Sequence, residues 1–334
     1  MKRVLVTGGG GFLGGEIVRQ LMDRGCRVRS LSRRHYPDLE TKGVDCVRGD
    51  VSSLDDVKRA MDGCDTVFHV AAKPGVWGPY EDYYRINTLG TENVITACVD
   101  GGIEHLIYTS TPSVVHGGES IEGADETLPY PEGFETAYPE TKALAEKRIL
   151  AANSATLKTV ALRPHLIWGP GDNHLIPRIV DRAKRQRLRL VGPPFPKVDS
   201  TYVVDAARAH LLAADELAGS AKCAGRAYFI SQGEPWPTDK LINGLLHAKG
   251  HAPCHRVISA RTAYVIGFLF EAVFRLLRLQ HEPPMTRFVA KQLSTCHWYD
   301  IGAARRDFGY SPQQSIETAL ILLREHHQQD EKPS

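Results

Sequence analysis

The sequence predicts an α/β fold, a doubly wound parallel sheet with a smaller C-terminal lobe, and three observations lead there. Short β-branched runs alternate with helical apolar patterns through the first half of the chain. The first run ends in a glycine-rich turn, Gly8-Gly9-Gly10-Gly11-Phe12-Leu13-Gly14, that opens a helix. After Pro164 the rhythm loosens and prolines accumulate at Pro193, Pro194, Pro196, Pro235 and Pro237, as expected where a chain weaves between a sheet and a second lobe.

Six strands are expected in order: Arg3 to Thr7, Arg27 to Leu31, Asp45 to Arg48, Thr66 to Val70, His105 to Thr109 and Thr159 to Arg163. Helices fall between them at Phe12 to Asp23, Leu54 to Met61, Tyr83 to Val99 and Thr136 to Ala151. That rhythm describes the nucleotide-binding sheet known as the Rossmann fold. One later segment stands apart, YVIGFLFEAVFRLLRL at 264–279, interrupted by Glu271, Arg275 and Arg278. It is too short and too polar to span a bilayer comfortably. Two readings stay open: a helix packed on the lobe, or an interfacial helix that lies on a membrane or frames a greasy entrance.

Composition bounds the function. With 334 residues, 42% hydrophobic and 24% charged, the chain can bury a sizeable core. A net charge of +2 with mixed signs gives no electrostatic reason to expect nucleic acid, and the basic run from Arg182 to Arg189 reads as a solvated helix end. Seven cysteines, an odd number without Cys-x-x-Cys spacing, fit a reduced intracellular protein. Met1-Lys2-Arg3 leads straight into a strand without the features of a signal peptide, so a cytoplasmic location is expected, with membrane association through 264–279 the alternative. The fourteen histidines show no ligand spacing, and no metal site is expected.

Strand, glycine turn and helix start occur in the order a dinucleotide site needs. Glycines at Gly8, Gly11 and Gly14 let the backbone turn and approach a pyrophosphate, whose charge the helix N-terminus beginning at Phe12 and Leu13 favours. At the end of the second strand an acid would grip a ribose hydroxyl, whereas arginine accommodates a 2′-phosphate. Here stand Ser32-Arg33-Arg34 with no carboxylate before Asp38, which favours NADP(H), with NAD(H) the alternative. Asp50 and Val51 are placed to border the adenine, and Ala71, Ala72 and Lys73 to run along pyrophosphate and ribose. Asn87 reads as a buried amide that pins a neighbouring strand. The chain thus divides into 1–165, a dinucleotide-binding core, 166–325, mostly a substrate-binding lobe interwoven with it, and 326–334, a polar tail expected to fray.

Tyr138 and Lys142, four apart, share one helix face. A tyrosine with an ordinary pKa near 10 needs a shift of roughly 3 units to exchange protons near neutrality, and a neighbouring ammonium can supply much of it. The loop from Tyr108 begins at the carboxyl edge of the fifth strand, where ligand chemistry gathers in parallel sheets. A hydroxyl there can hold a carbonyl oxygen. Thr111 is the first candidate, then Ser110 and Ser113.

In Thr7 to Gly14, Gly49-Asp50-Val51, His69-Val70-Ala71-Ala72, Asn87-x-x-Gly90-Thr91, Tyr138-x-x-x-Lys142 and Leu162-Arg163-Pro164 the chain resembles the extended short-chain dehydrogenase/reductases, in their 3β-hydroxysteroid dehydrogenase-like branch. The resemblance covers nearly the whole chain. It implies that Tyr138 is the acid/base, Lys142 its tuner and Thr111 the hydroxyl partner, with the backbone after Pro164 bordering the nicotinamide; it also implies a homodimer. The hydroxyl position is commonly serine in the family, which leaves Ser110 or Thr111 open.

The segments Ala72 to Gly78, Ile167 to His174 and Glu282 to Thr286 are similar to the bacterial 2-alkyl-3-oxoalkanoate reductases and to the sterol 4α-carboxylate 3-dehydrogenases. Both resemblances imply a large apolar substrate with a carboxylate beta to the reacting carbon. Trp77, Trp168, Tyr202, Trp298 and Tyr299 are candidate apolar walls, and His165, His174 or Arg178 candidate carboxylate partners. The expected protein is an NAD(P)-dependent oxidoreductase interconverting a ketone and a secondary alcohol, first as the keto-acid reductase and second as the sterol dehydrogenase. A sugar-nucleotide epimerase and a non-catalytic NADP sensor are the remaining readings.

Overall fold

A computed structural model describes residues 1–279 and 281–330. Seven strands make the central sheet: β1 (Arg3–Thr7), β2 (Arg27–Ser32), β3 (Asp45–Arg48), β4 (Thr66–His69), β5 (His105–Thr109), β6 (Lys158–Pro164) and β7 (Arg226–Ile230). All neighbours pair in parallel, in the order β7-β6-β5-β4-β1-β2-β3. Val4 to Thr7 and Thr66 to His69 are buried without alternation, because helices cover both faces. On one face Ile17, Val18 and Leu21 of the helix Phe12–Asp23 meet the alanine-rich helix Val203–Ala218. On the other, Val57, Val94, Ala145 and Ile149 come from the helices Leu54–Met61, Gly90–Asp100 and Ala137–Ala151.

The expected six strands become seven. β7 arrives from the C-terminal half and pairs with β6 along its length, from Arg226 beside Val160 to Ile230 beside Pro164. The expected helix from Tyr83 to Val99 is also more complex: a turn at Tyr80–Tyr83 passes through a wide π turn at Tyr84–Leu89 before the α-helix Gly90–Asp100. At the chain end, the helix Ile316–Asp330 continues through the stretch expected to fray from 326. Its first turns anchor it, with Ile316, Ala319 and Leu323 packed on Leu241 and Leu245 of the helix Thr238–Ala248. The remainder of that expected tail, 331–334, lies outside the described residues.

A second, four-stranded sheet runs Trp236–Pro237, Lys197–Val198, His297–Tyr299, Ile121–Ala124, so a segment that follows β5 joins three from the far half of the chain. All seven cysteines are free.

Two histidines are sealed into the sheet's surroundings. His69 lies between Thr7 Oγ1 (2.8 Å) and Thr91 Oγ1 (3.0 Å), and His210 between Thr109 Oγ1 (2.8 Å) and the Ala206 carbonyl (2.7 Å). Burial pushes His69 down to about 3 and His210 down to about 4. The unfolded chain takes up these protons near pH 6.5, the fold only near 3 to 4; the stability they confer is complete above about 6.5 and lost as pH falls. We expect the Tm to fall already between about pH 6.5 and 5, above the carboxylate range, and His210→Gln to flatten that slope. A flat calorimetric Tm over this interval would contradict the assignment.

Candidate active site

β1 delivers the glycine turn to the point where the strand order reverses, beside β4. Gly8 adopts φ +72°, and a Cβ there would stand 3.0 Å from Ala71 Cα. A Cβ at Gly14 would stand 2.1 Å from the Gly8 carbonyl oxygen, so only glycine lets the helix pack this close. The helix Phe12–Asp23 has no side-chain cap at Gly11 and no acid in its first turn, leaving its dipole unopposed toward an anion. Thr7 Oγ1 accepts from the Val70 and Ala71 amides at 3.1 and 3.2 Å and holds the two strand ends together. This cradle fits a dinucleotide pyrophosphate.

The other cofactor candidates surround it. Ser32 Oγ lies 3.5 Å from the Gly10 amide, and Arg33 and Arg34 are exposed with no ion pair among the described residues. Asp50 accepts from Ser52 N and Oγ and lies 3.6 Å from Arg85, while Val51 packs beneath Gly90. Ala72 continues the strand end. Lys73 is fixed through its backbone: Asn87 Oδ1 accepts from Lys73 N at 2.7 Å and Asn87 Nδ2 donates to Lys73 O at 3.2 Å, so the buried amide pins the loop after β4 and not a strand as expected. The Lys73 ammonium pairs with Asp82 at 2.9 Å. Pro164 closes β6, and two residues later Leu166 takes φ +40°, a strained turn for a residue with a side chain. Tyr36 was not foreseen. Its ring lies so close over Gly10 that a Cβ there would stand 2.2 Å from it.

At the carboxyl end of β5, Thr111 is extended and caps the turn Pro112–Val114, its Oγ1 accepting from Ser113 N. Its Oγ1 lies 3.0 Å from Ser113 Oγ and pulls the pKa of the nearby Tyr138 phenol down, whereas the buried Ser110 hydroxyl has no partner among the described residues. Burial pushes Tyr138 up to about 12, against the lowering pull of Thr111. Lys142, one turn on, donates to the Thr109 carbonyl at 2.6 Å and sits 4.1 Å over the Tyr108 ring. Burial pushes Lys142 down to about 7, with Glu146 opposing. The two groups are therefore shifted by burial in opposite senses, and the protein alone leaves Tyr138 protonated at neutral pH.

The helix bearing both residues is anchored from within. Glu146 receives Arg163 of β6 in a two-point contact, Nε at 3.0 Å and Nη2 at 2.6 Å, and Tyr130 OH at 2.7 Å. Both charged groups are buried. Glu146→Gln is expected to cost about 3 kcal/mol or more in urea unfolding, because the guanidinium stays buried without its counter-charge.

A cleft of about 750 Å³ opens beside Ala137, lined by Trp77, Tyr83, Tyr264, Phe274 and Phe288 and by the charged Glu135, Glu271, Arg275, Arg278, Arg287 and Lys291. Buried Glu271 accepts from Arg287 N at 2.7 Å and from its Nε and Nη2 at 3.0 and 2.8 Å. Of the expected walls, only Trp77 lines this cleft, donating through Nε1 to the Leu279 carbonyl at 3.1 Å. Trp168 and Tyr202 pack on one another in a core cluster, and Tyr299 stacks on Phe229 at 4.2 Å. None of the expected carboxylate partners lines it either: Arg178 is paired with Glu282, His174 is exposed, and His165 packs on His297. The cleft's own cations come from the helices Ala260–Leu276 and Arg287–Gln292 and the turn after the first, which only the tertiary fold brings beside Ala137.

The description of the 3-beta hydroxysteroid dehydrogenase/isomerase family matches residues 5–260. The chain belongs to this family. It is 54% identical to a 2-alkyl-3-oxoalkanoate reductase of Stenotrophomonas maltophilia over 96% of its length and 98% of the relative's. A 2-alkyl-3-oxoalkanoate reductase of Shewanella oneidensis is 47% identical over 97% and 86%, and a decarboxylating sterol-4-alpha-carboxylate 3-dehydrogenase of Mus musculus 33% over 96% and 89%. Among solved structures, MoeE5 in complex with UDP-glucose and NAD superimposes with a TM-score of 0.75 at 26% identity, covering 98% of this chain and 99% of that one. Family membership makes the protein an NAD(P)-dependent oxidoreductase.

Proposed function

We propose that the protein reduces the ketone of a 2-alkyl-3-oxoalkanoate to the 3-hydroxy acid, with NADP(H) preferred over NAD(H). The observation that carries this reading is the Tyr138 phenol, drawn down in pKa by Thr111, next in the chain to Ala137, which lines a large, part-apolar, cation-lined cleft. Two relatives at 54% and 47% identity bearing that reductase name support it. The bound nicotinamide would supply the hydride. Gly8, Gly11, Phe12 and Leu13 would hold its pyrophosphate, Asp50 and Val51 its adenine, Ala71, Ala72 and Lys73 the adjoining backbone path, and Pro164 the nicotinamide side. Ser32, Arg33 and Arg34 would meet a 2′-phosphate, since both guanidinium groups are exposed and have no ion pair among the described residues.

Within the chain, Thr111 orients the substrate oxygen and Tyr138 delivers a proton to it as charge develops. A phenol held protonated suits the reducing direction. Lys142 contributes positive charge from beneath while it stays protonated. The cleft's arginines and lysine favour an acid over a neutral ketone.

Single-turnover absorbance with NADPH or NADH and a synthetic 2-alkyl-3-ketoalkanoic acid tests the reading, with a 4α-carboxysterol and oxidised cofactor in parallel. NADPH consumption is expected; sterol turnover with carbon dioxide release and no keto-acid activity would overturn the substrate. Tyr138→Phe should slow reduction by roughly 10²- to 10⁴-fold. Arg33→Ala with Arg34→Ala should weaken NADPH, not NADH, by roughly tenfold or more. Because Lys142 loses its proton as pH rises through about 7, the reduction rate should fall above that pH, and Lys142→Met should remove this limb.

A further inference from the structure

The helix Ala260–Leu276 and the turn after it carry seven of the large exposed apolar side chains among the described residues, Leu276 at 82%, Leu269 at 56% and Phe268 at 52% accessible among them. Its inner stripe, Ala263, Gly267, Glu271 and Phe274, is already satisfied. Gly267 lies so close to the chain at Thr286 that a Cβ would stand 2.6 Å from its carbonyl carbon, and Glu271 is held by Arg287. The outward Val265, Phe268, Leu269, Val273, Leu276 and Leu277 are therefore surplus to the fold. A helix apolar on both sides is ordinarily buried on both.

We propose that this outer face docks on an anionic phospholipid bilayer. Charge selects that occupant. Arg261 and Arg278 are exposed at the two ends of the apolar strip with no ion pair among the described residues, Arg275 is largely exposed though 3.4 Å from Glu271, and the helix's one acid, Glu271, faces inward. Cations framing an apolar face match a negatively charged lipid surface, whereas a second copy across a two-fold axis would set arginine against arginine. No helix among the described residues is long and apolar enough to cross a membrane, so the contact is a surface one. The same helix and the turn after it line the cleft beside Ala137 through Tyr264, Phe274, Arg275 and Arg278, which places the cleft's lip at the lipid surface. Delivery of substrate from the bilayer rests on the lipid-like substrate proposed above; the docking does not.

Flotation of the full chain with vesicles of phosphatidylcholine, with and without one-third phosphatidylglycerol, tests the docking without any substrate. Binding to the anionic vesicles, weakened by salt, is expected. Leu269→Asp with Leu276→Asp, both outside the cleft, should lower the bound fraction by roughly tenfold or more while the Tm stays near that of the parent. In Leu269→Trp, emission from the new side chain should shift to the blue and be quenched by brominated lipid. Absence of vesicle binding, or equal binding by the double variant, overturns the proposal. So does a dimer that the double variant dissociates while neither form floats. Loss of keto-acid turnover with flotation intact would overturn only the substrate.

Discussion

The site depends on one buried ion pair. Arg163 and Glu146 tie the helix Ala137–Ala151 to β6, and both are removed from water. Neither charge tolerates burial alone, so the pair allows little sliding of helix against strand. Tyr138 and Lys142 lie two turns and one turn before Glu146 on that helix, and their positions over β5 follow from it. Tyr130 adds a third contact to the same carboxylate, fastening the chain that precedes the helix.

Opposed electrostatics follow from this anchoring. A helix pressed onto the sheet desolvates both groups, which makes the phenol a weaker acid and the ammonium a stronger one. In the protein by itself burial outweighs the help expected from the Lys142 ammonium, and the lowering pull on the phenol comes from Thr111. The residues were legible as a pair; the balance between them depends on depth, which spacing does not encode.

Legibility elsewhere divides along the same line. Strands β1, β3 and β5, and the helices Phe12–Asp23 and Leu54–Met61, have the bounds that their local patterns indicate. β7 escaped notice because Arg-Ala-Tyr-Phe-Ile is short and follows irregular chain, and its strand character comes from its neighbour β6. The π turn at Tyr84–Leu89 leaves no compositional mark, although it places Asn87 where it can reach both Lys73 and Thr141. The cleft wall was the least readable, since Trp77, Glu271 and Arg287 come from three segments joined only in three dimensions.

The late arrival of β7 bears on how the protein is made. During synthesis β6 can pair with β5 as soon as the helix Ala137–Ala151 has packed, but its other edge has no partner until residue 230 has left the ribosome. For that interval the nascent chain presents a row of unpaired amides and carbonyls on an apolar strand, a template for wrong pairing with other chains. Short exposure is the safeguard, so slow translation between β6 and β7 is the step at which this fold is most open to aggregation.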